Sequence, residues 1–254
     1  MVFHSGGLYM IHSALRLSVT NCYLLQADNG FVLVDTGYDW EWETFRRSLD
    51  EARIGLQDIG FLILTHHHDD HAGLIGRLLI ENPMIRVVMS RCTQELLPRG
   101  KNDRSHGGAY INRRVNALLT LRKMFDTRWT HTFPAYFTRK GDIIVADGIR
   151  LRDIGIDLDG KIIETPGHTF DSISVLLDDG DCLVGDAAAS FLSFAGTKHC
   201  IIYLEDLGQY YASWIRIIDA GAKRILPAHG RPFGVDELRK NLHRNRQEDL
   251  VKLK

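Results

Sequence analysis

The stretch "LTHHHDDHAG", residues 64–73, places four histidines and two aspartates in six consecutive positions, directly after the apolar run "IGFLI". So many ionisable groups can follow a buried strand only if they share a partner, because unpaired buried charge is costly. His66, His68, Asp70 and His71 form the pattern H-x-H-x-D-H. Residues two apart in an extended segment project to the same side, so His66 and His68 reach one metal ion. Asp70 and His71 open the following helix and point from its N-terminal end, where they can hold a second ion. His67 and Asp69, at the x positions, face away and are read as supporting or solvent-facing groups.

Three further motifs each follow an apolar strand: "ETPGHT" with His168, "LVGDAA" with Asp186 and "LPAHG" with His229. Each sets its ionisable residue beside small ones that allow close backbone approach. Five histidines and two carboxylates suit a pair of divalent cations with one carboxylate bridging. An imidazole-rich set without thiolate favours Zn²⁺, with Mn²⁺ or Fe²⁺ as alternatives.

With these residues in this order, and with "VDTG" around Asp35, the chain resembles the metallo-β-lactamase superfamily over nearly its whole length. The resemblance implies an α/β fold, a four-layer αββα sandwich with the metals at one edge of its two sheets. It implies that His66, His68 and His168 bind one ion and Asp70, His71 and His229 the other, with Asp186 bridging. Asp35 would accept a hydrogen bond close to the metal-bound histidines and fix their orientation.

The rest of the chain fits one domain spanning residues 1–254. Strand signals cover "LYMIHSALRLSV", "NCYLLQA", "NGFVLV", "FLILT" and "IRVVMS", and Asn29-Gly30 fits a tight hairpin turn. "WEWETFRRSLDEA" and "HAGLIGRLLIEN" have helical spacing, the latter stopped before Pro83. Residues 99–140 carry ten Lys/Arg against two Asp and read as a basic helical insertion lying over the fold. Its functional reading is a lid or rim that attracts an anionic substrate. Strands are predicted again at "IRLRDIGI", "GKIIET", "SISVLLDDG", "DCLVGDA" and "AKRIL". Helices are predicted at "EDLGQYYASWIRIIDAG" and across the terminal "VDELRKNLHRNRQEDLVKL".

Net charge is −1, so no overall field favours nucleic acid or a membrane surface. The four cysteines are widely spaced and form no C-x-x-C pair, and no secretory pattern opens the chain, so a cytoplasmic protein with reduced thiols is expected. Two ions sharing a water make hydroxide available near neutral pH, which points to hydrolysis of a small-molecule substrate. Asp70, a ligand placed beside the nucleophile, is the expected catalytic carboxylate. "TPGHT" and "PAHG" are similar to the glyoxalase II and lactonase branch, which implies an ester, thioester or lactone. Several quorum-lactone enzymes carry a tyrosine shortly after the bridging aspartate, where this chain has "AAAS" at 187–190. The alternatives are a phosphodiesterase or nuclease, which the basic segment favours, and an iron-dependent sulfur dioxygenase, which shares H-x-H-x-D-H.

Overall fold

In a computed structural model, which describes residues 11–28, 30–123 and 128–253, strands and helices alternate around two main sheets. The first half comprises β1 (Ile11–Arg16), β2 (Asn21–Ala27), β3 (Gly30–Val34), α1 (Trp42–Ala52), β4 (Ile59–Ile63), α2 (Asp69–Ala72), α3 (Ile75–Glu81) and β5 (Arg86–Ser90). There follow α4 (Arg91–Leu96), β6 (Ala109–Tyr110), α5 (Arg113–Lys123) and β7 (Ile143–Val145). The second half comprises β8 (Gly160–Glu164), β9 (Ile173–Leu177), β10 (Asp181–Gly185), β11 (Tyr203–Leu204), α6 (Leu207–Asp219), β12 (Arg224–Pro227), β13 (Phe233–Gly234), α7 (Asp236–Asn241) and β14 (Val251–Lys252).

The first sheet has strand order β1-β2-β3-β4-β5-β7 and the second β13-β12-β10-β9-β8. Most of these strands are buried on both faces, and alternate residues pack into different layers. Tyr23, Leu25, Val32, Val34 and Ile63 meet Ile162, Ile173, Val175, Leu183 and Leu226 between the sheets. Leu24, Leu33 and Leu62 face the other way, against Trp42, Phe45 and Leu49 of α1 and Ile75 and Leu78 of α3. On the outer face of the second sheet, Cys182, Val184 and Ile225 pack against Tyr210, Trp214 and Ile217 of α6. Three apolar layers separate four layers of structure, which is the αββα sandwich. The buried face of α6 recurs at helical spacing, and the Asp206 carboxylate caps its first turn by accepting from the Gln209 amide at 2.9 Å.

Strand direction positions the site. β3, β4, β5 and β7 run parallel, and so do β10 and β12. Because β9 is antiparallel to both β8 and β10, β8 shares the direction of β10 and β12. The loops leaving β3 and β4, and those leaving β8, β10 and β12, therefore each emerge together. Cross-sheet hydrogen bonds join these two loop groups. The Asn21 amide donates to the Ala228 carbonyl at 2.7 Å, the Tyr23 hydroxyl to Pro227 at 2.8 Å, and the Ile173 amide to Thr65 at 2.8 Å.

Several local expectations are corrected. "IRLRDIGI" is a 3₁₀ turn at Arg152–Ile154, because Gly148 and Gly155 adopt positive φ and break the extended chain; the strand lies earlier, at β7. The helix after the histidine motif divides into α2 and α3, where the Leu74 amide donates to Thr36 Oγ1 at 3.1 Å. The terminal helix ends at Asn241: His243 adopts φ 60°, and the chain returns so that Val251 pairs with Tyr110 in a small sheet ordered β11-β6-β14. Within 99–140, helix covers only Arg113–Lys123 of the described residues. The predicted Asn29-Gly30 turn falls partly outside the described residues, at Asn29; Ala27 lies opposite Gly30 in the β2–β3 ladder.

Ile63 lies fully buried between the sheets. Ile63→Ala is expected to lower unfolding free energy by about 2–5 kcal/mol, read from the urea midpoint at unchanged m-value.

Candidate metal centre

All seven predicted ligands converge. His66 and His68 lie on the loop leaving β4, and Asp70 and His71 on α2. His168 follows β8, Asp186 follows β10 and His229 follows β12. Donor atoms of His66, His68 and His168 lie within 4.8 Å of one another, as do those of His66, His71 and Asp186, and those of Asp70, His71 and His229. His168 Nε2 is 3.1 Å from His66 Nε2 and 3.0 Å from His68 Nδ1. His229 Nε2 is 3.1 Å from Asp70 Oδ2. Asp186 reaches both groups, with Oδ2 at 3.3 Å from His168 Nε2 and Oδ1 at 3.3 Å from His229 Nε2.

Four of the imidazoles are oriented from behind. Asp35 accepts from His71 Nδ1 at 2.8 Å, and its other contacts are the Thr65 amide at 2.8 Å and hydroxyl at 2.8 Å. With the Thr65 proton given to Asp35, His66 Nδ1 donates to Thr65 Oγ1 at 3.1 Å. His168 Nδ1 donates to the Tyr203 carbonyl at 2.9 Å, and His229 Nδ1 to the Val19 carbonyl at 2.9 Å. In each of the four the far nitrogen donates outward, which aims the other nitrogen at the centre; in the neutral rings of His66 and His168 that nitrogen carries a lone pair. Lone pairs of His66 and His168 thus confront each other at 3.1 Å, an arrangement that suits a cation between donors. His71 Nε2 and Asp186 Oδ1 are buried without hydrogen-bond partners, which points the same way. The residues therefore fit divalent cations.

The electrostatics divide along the same line. Burial, together with the surrounding imidazoles, pushes His66 and His68 well below the ordinary histidine range, so both stay neutral. At His71 burial opposes the charge, but Asp70, Asp35 and Asp186 outweigh it and push the group up to about 9. His229 rises in the same way against burial, through Asp186 and Asp70. Asp70 and Asp186 stay ionised: burial opposes this and the facing imidazoles, His71 and His229 among them, overcome it. The carboxylate-rich half of the centre attracts positive charge, while the imidazole-rich half offers neutral donors.

Two residues expected to face away have specific partners. His67 is fully buried; its Nδ1 meets Asp171 at 3.0 Å, and its Nε2 accepts from the Asp103 amide at 2.9 Å. Asp69 accepts from Asn102 Nδ2 at 2.8 Å, while the Asp69 amide donates to Asn102 Oδ1 at 2.9 Å. Sequence reasoning missed Asp171, Asn102 and Thr65. Asp171 stands three residues after His168 in "GHTFDS", and Thr65 directly precedes His66, so proximity to the motifs was the available signal. Gly185, at φ 51°, is needed because a Cβ there would sit 2.5 Å from Thr65 Oγ1.

A cleft lined by His68, Asp70, His168, Asp186 and His229 continues into an apolar pocket of Val19, Tyr110, Leu119, Phe191, Ile201 and Ile202. Four of the ten basic side chains in 99–140 are engaged away from the ligands. Arg99 pairs with Asp103, Arg122 stacks over Trp129, Arg128 stacks over Trp40, and Arg139 binds Asp142. Of the aromatic residues in this segment, Phe133 and Tyr136 are core, Trp129 lines the cleft, and Phe137 is exposed.

An αββα sandwich with clustered His and Asp donors at a sheet edge defines a class of metal-site proteins. The sequence profile of the metallo-beta-lactamase superfamily matches residues 15–229, and this chain belongs to that superfamily. Relatives described as beta-lactamase-like protein 2 homologs occur in Drosophila melanogaster and Caenorhabditis elegans. The first is 25% identical over 253 residues, covering 94% of this chain and 69% of that protein. The second is 26% identical over 220 residues, covering 84% of this chain and 57% of that protein, so the chain spans little more than half of its length. Among solved structures, the subclass B3 metallo-beta-lactamase BJP-1 of Bradyrhizobium japonicum aligns with a TM-score of 0.64 at 16% identity, covering 91% of this chain and 86% of that one. At that identity the likeness is one of fold.

Asp35 holds both Thr65 and His71, so Asp35→Ala is expected to weaken divalent-metal affinity by about 10- to 100-fold, read by competition with a chromophoric chelator. Asp171→Ala removes the acceptor of the buried His67 Nδ1–H and of the His67 amide, and is expected to cost about 1–3 kcal/mol of folding stability in denaturant titration.

Proposed function

We propose that the protein is a hydrolase that uses two divalent ions, Zn²⁺ foremost, to cleave a carboxylic ester, thioester or lactone. The observation that carries this reading is the joining of the ligand cluster to an apolar cleft: donors that fit cations open onto side chains that suit an acyl body. A superfamily whose members are typically hydrolases agrees with it. His66, His68 and His168 are the ligands assigned to one ion and Asp70, His71 and His229 to the other. Asp186, whose two oxygens face the two groups, is assigned the bridge.

When bound, the ions would supply Lewis acidity, making water acidic enough to attack near neutral pH and polarising the reacting carbonyl. The chain's own residues do the positioning. Asp70 stays ionised, accepts from the Thr20 hydroxyl at 3.3 Å and lines the cleft. It is placed to orient the attacking water and take its proton as the new carbon–oxygen bond forms. That proton then passes to the departing alkoxide or thiolate as the ester or thioester bond breaks. The Asp35–Thr65 pair keeps His71 and His66 in one tautomer throughout.

Four cysteines with free thiols, three of them buried, suit the cytoplasm, where we place the enzyme. Among the described residues no helix is long and apolar enough to cross a membrane.

Purified protein is expected to contain zinc by elemental analysis and to hydrolyse p-nitrophenyl esters, acyl thioesters or lactones in a metal-dependent way. His66→Ala should lose metal and activity together. Turnover confined to bis-p-nitrophenyl phosphate or RNA would replace this reading with a phosphodiesterase. Iron together with oxygen consumption on persulfides would replace it with a sulfur dioxygenase.

A further inference from the structure

The H-x-H-x-D-H segment serves two structures. His66, His68 and Asp70 join the ligand groups, while His67 and Asp69 grip consecutive residues of the basic segment, with Asp69 also lining the cleft. Asp69 binds Asn102 through paired hydrogen bonds of 2.8 and 2.9 Å, and His67 accepts from the Asp103 amide at 2.9 Å. The turn after them is closed by the Gly107 amide donating to the Arg104 carbonyl at 3.0 Å. It is held from the other side by the Tyr203 hydroxyl, which donates to the Gly107 carbonyl at 3.0 Å. Tyr203 also gives its own carbonyl to His168 Nδ1. The loop 102–107 is therefore tied at three points to residues that flank or orient the ligands.

This clamp determines where Arg104 stands. It is the one Lys or Arg among the described residues lining the cleft, beside Asn102 and Tyr203 and with Leu119, Ile201 and Ile202 on the same lining. The other charged side chains of the lining are Asp69, Asp70 and Asp186, which belong to the metal centre or to the clamp. An exposed guanidinium that lines an apolar cleft and makes no ion pair among the described residues can recognise carboxylate, sulfonate or phosphate oxygens by paired N–H donors. We propose that Arg104 is a specificity-determining residue that binds an anionic group on the substrate, placed there by the Asn102–Asp69 and Asp103–His67 clamp. The substrate would then be an acyl compound with an apolar body and a negative charge distant from the scissile bond. This rests on the hydrolase reading above for the identity of the reacting group, and on the cleft alone for the anion.

The test pairs turnover with binding on metal-loaded protein. Two esters sharing one leaving group are compared: p-nitrophenyl hexanoate, which is neutral, and the p-nitrophenyl monoester of adipate, which carries a distal carboxylate. Arg104→Gln is expected to raise KM for the adipate ester by about fivefold to twentyfold, with kcat changed less than twofold and the neutral ester little affected. Arg104→Lys should recover part of the loss. Asn102→Ala should raise the same KM without altering metal content, because it frees the clamp and leaves the ligands in place. Equal effects on both esters, or none on either, would overturn the assignment. Binding of hexanesulfonate, followed by quenching of tryptophan fluorescence with Trp129 in the cleft, reads the anion site without catalysis. Weaker binding in Arg104→Gln supports the site even if neither ester is cleaved, in which case the hydrolase reading fails alone. Unchanged sulfonate binding overturns the site itself.

Discussion

One carboxylate holds the metal centre to the fold. Asp35 leaves β3 at a positive φ of 62°, an uncommon conformation for a residue with a Cβ, and its two oxygens take hydrogen bonds from Thr65 and His71. Thr65 leaves the neighbouring strand β4 and in turn orients His66. The register between β3 and β4 is thereby transmitted directly to imidazoles on both halves of the ligand set. A carboxylate this deeply buried is sustainable because its oxygens are satisfied by donors from two elements.

The second sheet reaches the same point by a different route. Its ligands stand after three strands that share one direction, and backbone carbonyls orient two of them: Tyr203 for His168 and Val19 for His229. Val19 belongs to the β1–β2 turn of the first sheet, so His229 is aimed by the opposite half of the molecule. The centre is thus a joint between the sheets, and metal binding would draw on folding energy as well as on ligand chemistry. The inter-sheet layer of Ile, Val and Leu side chains supplies the rigidity that keeps the two ligand groups in register.

The residues between the ligands of the histidine motif extend that joint outward. His67, Asp69 and Asp171 carry none of the proposed ligand chemistry, yet they connect the centre to the segment that shapes the cleft. Dense ionisable sequence at 66–71 therefore serves two structures at once. Four of the ten basic side chains of 99–140 are engaged in ion pairs or in stacking on Trp40 and Trp129, and among the described residues Arg104 is the basic side chain that lines the cleft.

The layered αββα fold came from the resemblance to the superfamily, whereas the spacing of ionisable residues after apolar runs was enough to name the seven converging side chains, because period-two geometry and strand-end placement are local properties. Amphipathic helices such as α1 and α6 were legible for the same reason. Glycine-broken segments were misleading: apolar residues at 149–156 alternate like a strand, but Gly148 and Gly155 fold them into a turn. The terminal helix was overextended, since only the three-dimensional fold offers Val251 an edge on Tyr110 to pair with. What faces His67 and Asp69 was likewise beyond the sequence, because Asp171, Asn102 and the Asp103 amide lie roughly 35 to 100 residues away along the chain. Local pattern fixed which groups could bind a cation; long-range packing decided which neighbours orient them and which charged side chains line the cleft.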